Sequence, residues 1–238
     1  MNIHASRDAG TRTMLKDRAL FGRRKGKRLR SHQTGLLEHA LPALTIDVSR
    51  GVIDPVGLFD RRVSEVRLEI GFGGGEHLVA EANRERDVGF IGCEPFVNGL
   101  AKTLAGLESL RLNNVRLYQG DAKDVLNALP ERCLDRVAIL YPDPWPKRRQ
   151  SKRRFINDES LDLLARVMRA GAELRFATDI DDYGAWTLAR VLRSRDFIWR
   201  AQSSRDWLAP WDGWLGTRYE AKALAAGRVP VYLTFVRV

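Results

Sequence analysis

Between Val66 and Ser194, short apolar runs of strand period alternate with longer segments of helical period, and few architectures accept that order. Val66-Arg67-Leu68-Glu69-Ile70 reads as a strand running directly into glycines, and Glu76–Asn83 as the helix that follows. The unit recurs as strand Gly89–Glu94 with helix Val97–Leu110, then strand Val115–Gln119 with a short helix after Asp121, then strand Arg136–Tyr141. Asn157 can cap a helix in which Leu161, Leu164 and Met168 share one face. Strand Glu173–Ala177 and helix Tyr183–Ser194 complete the alternation, and Phe197–Ala201 with Val231–Val238 read as an antiparallel hairpin at one sheet edge. The expected fold is α/β: a mostly parallel seven-stranded sheet with helices on both faces and an antiparallel edge strand. Such sheets bind ligands at the carboxyl ends of their strands.

A chain of 238 residues holds one such domain with an appendage rather than two domains. Residues 36–238 are expected to form the domain. Residues 1–35 read as a flexible basic arm, because they carry ten Lys/Arg against only Asp8 and Asp17 and few large apolar groups. Lys147–Arg154 adds six cations and no acid, so the net charge of +10 is concentrated in two clusters suited to a polyanionic partner. Cys93 and Cys133 have no companions at metal-ligand spacing and read as buried small hydrophobes. The four histidines show no catalytic pairing, and no apolar run approaches the length that spans a bilayer. The expectation is a cytoplasmic chain with no metal and no membrane partner, a monomer or a homodimer.

The turn Glu69-Ile70-Gly71-Phe72-Gly73-Gly74-Gly75-Glu76 places glycines where a strand must turn sharply and a ligand must approach the backbone. Dinucleotide folds need a small residue at position 76, with pyrophosphate on the helix N-terminus, and Glu76 would repel a phosphate there. The spacing instead resembles the acid-x-Gly-x-Gly-x-Gly turn of class I methyltransferases, whose cofactor carries a sulfonium and an ammonium and no phosphate. Glu94, at the end of the second strand, can accept both hydroxyls of a ribose or simply close the strand before Pro95. Asp121, after the third strand, can lie beside an adenine amino group or cap the short helix. Glu69 can touch the cofactor or only anchor the loop.

Strand four runs into Tyr141-Pro142-Asp143-Pro144-Trp145-Pro146-Lys147. Three prolines at alternate positions fix φ and push their predecessors toward extended geometry, so Asp143 is expected on a stiff loop at the strand's carboxyl end. The basic segment follows at once, and phosphate contacts from Lys147, Arg149, Lys152, Arg153 and Arg154 would hold a nucleic-acid backbone over the site. Thr217-Arg218-Tyr219-Glu220 is a capping box ahead of Ala221–Ala226, which leaves Arg218 and Tyr219 free to face a base or a phosphate. Asp179 can cap the helix at Tyr183 or read the donor edge of a guanine. Trp207, Trp211 and Trp214 read as packing residues of an edge loop.

Asp143-Pro144-Trp145-Pro146-Lys147 with Lys152-Arg153-Arg154, Thr178-Asp179 and Thr217-Arg218-Tyr219-Glu220 resembles, in order and spacing, the signature of bacterial tRNA (guanine-N7)-methyltransferases. The resemblance extends from about Leu36 to the C-terminus. It implies a Rossmann-like class I methyltransferase fold, S-adenosyl-L-methionine as cofactor and tRNA as partner, with methylation at N7 of a variable-loop guanine to give 7-methylguanosine. It implies cofactor contacts from Glu69, Glu94, Asp121 and Asp143 beside the backbone of Gly71 and Gly73, with Asp143 as the catalytic residue. It assigns Lys147, Asp179 and Thr217–Glu220 to the substrate. The alternatives are another RNA base methyltransferase, such as one for adenine N6, an NAD-binding oxidoreductase, or a catalytically inactive RNA-binding protein.

Overall fold

In the computed structural model, residues 26–238 are described. Their order is α1 (Ser31–His39), α2 (Leu41–Leu44), β1 (Val66–Ile70), α3 (Glu76–Arg84), β2 (Gly89–Cys93), α4 (Val97–Ser109), β3 (Val115–Tyr118), α5 (Ala122–Ala128) and β4 (Leu134–Leu140). Then follow α6 (Asp158–Val167), β5 (Met168–Thr178), α7 (Asp181–Val191), β6 (Phe197–Trp199), α8 (Arg205–Leu208), α9 (Arg218–Ala225) and β7 (Val231–Arg237). Short 3₁₀ turns occupy Val48–Arg50 and Arg148–Arg153. The strands form one seven-stranded sheet in the order β3-β2-β1-β4-β5-β7-β6. The first five strands pair in parallel, while β7 runs antiparallel to both of its neighbours and closes the edge with β6. The sequence-derived fold holds, with β7 taking the place beside β5 and β6 the outermost one.

Alternation along each strand divides the core. Val66, Leu68 and Ile70 face a layer made by Val125 and Leu126 of α5, Leu161 and Leu164 of α6, and Tyr183 and Val191 of α7. On the opposite face Leu78 and Ala82 of α3 and Leu100, Leu104 and Leu107 of α4 cover β2 and β3, with Leu36 of α1 completing the cluster. Trp211 and Trp214 cover Ala138, Leu140, Ala177 and Tyr232 there, packing edge-on against the Tyr232 ring. These tryptophans are packing residues, as their sequence context suggests. Below them Arg67, Arg136 and Arg175 form a polar layer with Glu81, Glu85 and Glu173.

Helix α1 crosses the boundary expected at residue 35. It runs through Ser31–His39, because Leu36 needs a covered site and finds it in the cluster with α4. The arm beyond Gly26, including Arg23 and Arg24, lies outside the described residues. Cys93 and Cys133 are buried free thiols.

Candidate active site

Because β1 to β5 are parallel, their carboxyl ends meet on one side of the sheet, and the order reverses between β1 and β4. A cleft of about 1050 Å³ opens at this reversal. Its walls include Gly71, Gly73, Glu94, Asp121 and Asp143.

The glycine loop is shaped by contact. Gly73 has φ +59°, and a Cβ there would come within 3.3 Å of the Tyr219 ring. Gly99, in the first turn of α4, lets that helix press on the loop: a Cβ at 99 would lie 2.0 Å from the Gly73 carbonyl oxygen. Glu94 ties the two parts together, since one carboxylate oxygen accepts from Gly73 N at 2.7 Å and the other from Phe96 N at 2.9 Å. Burial raises the pKa of Glu94; the two amide hydrogen bonds oppose that shift and the nearby Asp143 charge adds to it. Asp121 caps α5 by accepting from Lys123 N at 3.0 Å, yet it also lines the cleft, so the capping and ligand readings coexist.

Glu69 is elsewhere. Its side chain is on the face of β1 opposite Leu68 and Ile70, buried, and meets Nδ1 of His77 at 2.7 Å outside the cleft wall. Of its two sequence readings, anchoring the loop region is the one the geometry matches. Burial works against protonating His77, but the Glu69 carboxylate outweighs it and the imidazole pKa is raised. Glu76 also departs from expectation. Burial disfavours its charge, but an ion pair with Lys102 prevails and its pKa is lowered, with Arg218 Nε 3.9 Å from the same oxygen. A carboxylate neutralised in this way excludes phosphate weakly. The case against a dinucleotide passes to the acids in the cleft, Glu94 and Asp143.

Asp143 stands on a strained loop. Tyr141 and Trp145 on either side of it have φ +50° and +43°, values that non-glycine residues seldom adopt and that cost of order 1–3 kcal/mol each. Exposed at the cleft, the Asp143 carboxylate accepts no hydrogen bond from a described residue, and removal of water by surrounding atoms raises its pKa. A carboxylate held without a partner on a strained turn is poised for an incoming donor or cation.

The basic segment divides in two. Lys147, Arg149 and Lys152 are exposed, Lys152 also lining the cleft, and Arg153 lies over the Trp145 ring with its guanidinium carbon 5.0 Å from the centroid. Arg154 is 2% exposed, contrary to its expected place among the RNA contacts. Its Nε donates to Pro144 O at 2.8 Å, and its remaining nitrogens engage the carbonyl and carboxylate of Asp182. The capping box at α9 is present: Glu220 N donates to Thr217 Oγ1 at 3.1 Å and Thr217 N to Glu220 Oε2 at 3.2 Å. Glu220, 7% exposed, also accepts from Trp214 Nε1 at 2.7 Å and from the Tyr232 hydroxyl. Thr217 and Glu220 are therefore committed to structure, while Arg218 and Tyr219 face the cleft. Asp179 is ion-paired with Arg228 at 2.5 Å outside the cleft wall and does not cap α7, which begins at Asp181 without a side-chain cap.

Residues 64–232 match the family model described as "Putative methyltransferase". The curated tRNA (guanine-N(7)-)-methyltransferase of Bradyrhizobium diazoefficiens is 51% identical over 222 residues, covering 93% of this chain and 94% of that protein. That of a Chelativorans species is 53% identical over 223 residues, 92% of this chain and 95% of the other. The chain belongs to the tRNA (guanine-N(7)-)-methyltransferase family. The solved 16S rRNA (adenine(1408)-N(1))-methyltransferase of Catenulisporales acidiphilia is 15% identical, with a TM-score of 0.50 over 74% of this chain and 89% of that one, and shares its fold.

For this member of the tRNA (guanine-N(7)-)-methyltransferase family, the structure also brings in residues that the sequence reading passed over. Asn98 Oδ1 accepts from Gly26 N and its Nδ2 donates to Lys27 O, both at 2.7 Å, so the described start of the chain is held at the cleft. A signal for this was present: Asn98-Gly99 is a poor pair inside a helix, and such a pair implies a demand other than helix propensity.

Proposed function

We propose that this chain transfers the methyl group of S-adenosyl-L-methionine to N7 of a guanine in the variable loop of tRNA, in the cytoplasm. The observation that carries the reading is Asp143: a carboxylate without a donor among the described residues, held by strained backbone between an acidic cofactor wall and a basic rim.

The donor set suits that cofactor. Its adenosine and amino-acid parts are rich in hydrogen-bond donors, and the wall offers the Glu94 and Asp121 carboxylates beside the close-approach backbone of Gly71 and Gly73. S-Adenosyl-L-methionine supplies an electrophilic methyl group on a sulfonium. Guanine N7 has an in-plane lone pair and no proton, so the reaction needs no general base. It needs alignment, which can contribute roughly 7–11 kcal/mol in favourable intramolecular reactions. Positive charge grows on the guanine ring during transfer. An ionised Asp143 can favour that charge, and it can also orient the base by accepting from N1–H and the 2-amino group. Exposed Lys147, Arg149 and Lys152, with Arg218 and Tyr219 at the cleft, supply phosphate and base contacts.

Incubating unmodified tRNA with labelled cofactor and cleaving at N7-methylated guanines should place the label in the variable loop. Label elsewhere, or none, refutes the substrate. Asp143→Asn should lower the single-turnover rate by roughly 10²–10³-fold, the cost of deleting one preorganised electrostatic group, with cofactor affinity kept. Because the working form is ionised and its pKa is raised, the wild-type rate should fall on the acid side as pH drops through that raised value, and the Asn variant should lack this limb. A wild-type rate in the folded Asn variant excludes both roles of Asp143.

A further inference from the structure

We infer that Arg154 is a positioning residue for the Asp143 loop rather than a phosphate ligand, an inference that rests on the catalytic reading of Asp143. The loop has an anchoring problem set by its sequence. Pro142, Pro144 and Pro146 have no backbone N–H, so the segment can be fastened to the protein chiefly through its carbonyls and side chains. Positive φ at Tyr141 and Trp145 adds strain that other contacts must overcome.

Arg154 supplies the fastening. Its Nε donates to the carbonyl of Pro144, the residue directly after Asp143, at 2.8 Å. The far side of the same guanidinium donates to Asp182 O at 3.4 Å and pairs with the Asp182 carboxylate, at the start of α7. The planar group lies by two rings of that helix, 4.8 Å from the Tyr183 centroid and 4.9 Å from that of Trp186. One side chain thus bridges the turn after β4 to the helix after β5. Trp186 Nε1 donates to Ile156 O at 2.7 Å and fastens the segment following Arg154 to the same helix. Arg154 lines the cleft but is only 2% exposed, and each of its three guanidinium nitrogens already donates to Pro144 or Asp182, which leaves little surface for a phosphate. The exposed cations Lys147, Arg149 and Lys152 remain for RNA.

The geometry needs a fork. Three separated acceptors, the carbonyls of Pro144 and Asp182 and the Asp182 carboxylate, suit the guanidinium, and an ammonium cannot satisfy them together. Arg154→Lys therefore keeps the charge and loses the bridge. Asp182→Asn tests the other end with less risk to folding, since the Asp182 side chain is 75% exposed.

The full-length chain and both variants are compared for single-turnover methylation at saturating cofactor and tRNA, tRNA Kd against salt, and hydrogen exchange of residues 141–147. Arg154→Lys should lose roughly 10²-fold in rate, the penalty for misplacing a reacting group by about an ångström. Its tRNA Kd should stay within about twofold and its salt slope should be unchanged, as expected when no phosphate contact is removed. Asp182→Asn should lose rate in the same direction but less, and exchange should quicken over 141–147 in both. Weaker tRNA binding with a shallower salt slope and an intact rate would overturn the inference, as would unchanged exchange. Should Arg154→Lys not fold, Asp182→Asn decides by the same criteria. An inactive wild-type chain would instead refute the proposed function, and the exchange data would still judge the bridge.

Discussion

Gly99 shows how a single hydrogen in place of a methyl group can decide a binding wall. An alanine Cβ there would sit 2.0 Å from the Gly73 carbonyl oxygen, and neither backbone can yield without moving α4 or the glycine loop. Gly99→Ala should lose about 1–3 kcal/mol of stability, the usual cost of overpacking, and should weaken cofactor binding as well. Denaturant midpoints and calorimetric titration with cofactor check the two parts, and an unchanged cofactor Kd would mean that the loop tolerates the displacement. His77 gives a pH signature at the same scale. Its folded pKa is raised, so its pair with Glu69 contributes stability that is complete below the unfolded imidazole value near 6.5 and is lost as pH rises through the folded value. The melting-temperature gap between wild type and His77→Gln should therefore be widest near pH 6 and narrow on the alkaline side. A gap that grows with pH would contradict this pairing.

At the scale of elements, what the sequence discloses is what periodicity and local rules determine. The five parallel strands, the caps at Asp121 and Asn157 and the Thr217–Glu220 box are legible because each depends on neighbours in the chain. The place of Asp143 at the end of β4 is legible for the same reason, but the loop's geometry is not: the prolines predict extended predecessors, whereas Tyr141 and Trp145, directly before Pro142 and Pro146, have φ +50° and +43°. Nor is side-chain direction. Glu69 and Arg154 each stand in a motif-like context, yet strand alternation turns Glu69 toward His77, and Arg154 is buried against Tyr183, Trp186 and Asp182 of α7. The partners that settle these directions lie at distances in sequence that no local pattern encodes, such as Asp182 for Arg154 and Arg228 for Asp179. Even Glu76, whose sign is plain in the sequence, changes its electrostatic meaning once Lys102 of α4 neutralises it.

Over the whole molecule the charge is divided between a nearly balanced body and two basic clusters, one at the cleft rim and one near the N-terminus. The described part of the N-terminal segment begins at that same cleft, where Asn98 holds Gly26 and Lys27. Residues 1–25 carry seven Lys/Arg and two Asp, and they join the described chain at Gly26, one of the residues lining the cleft. Cations close to bound RNA strengthen binding by releasing counterions, by about 0.7–0.9 in salt slope for each phosphate neutralised. A chain beginning at Gly26 retains Asn98 and its two hydrogen bonds, and it should bind cofactor as the full chain does. If three of the seven cations meet phosphates, its plot of log Kd for tRNA against log salt should flatten by about 2–3, with weaker binding at low salt and convergence with the full chain at high salt. Equal slopes for the two chains would place the polyanion contacts on cations of the described residues, Lys147, Arg149 and Lys152 among them.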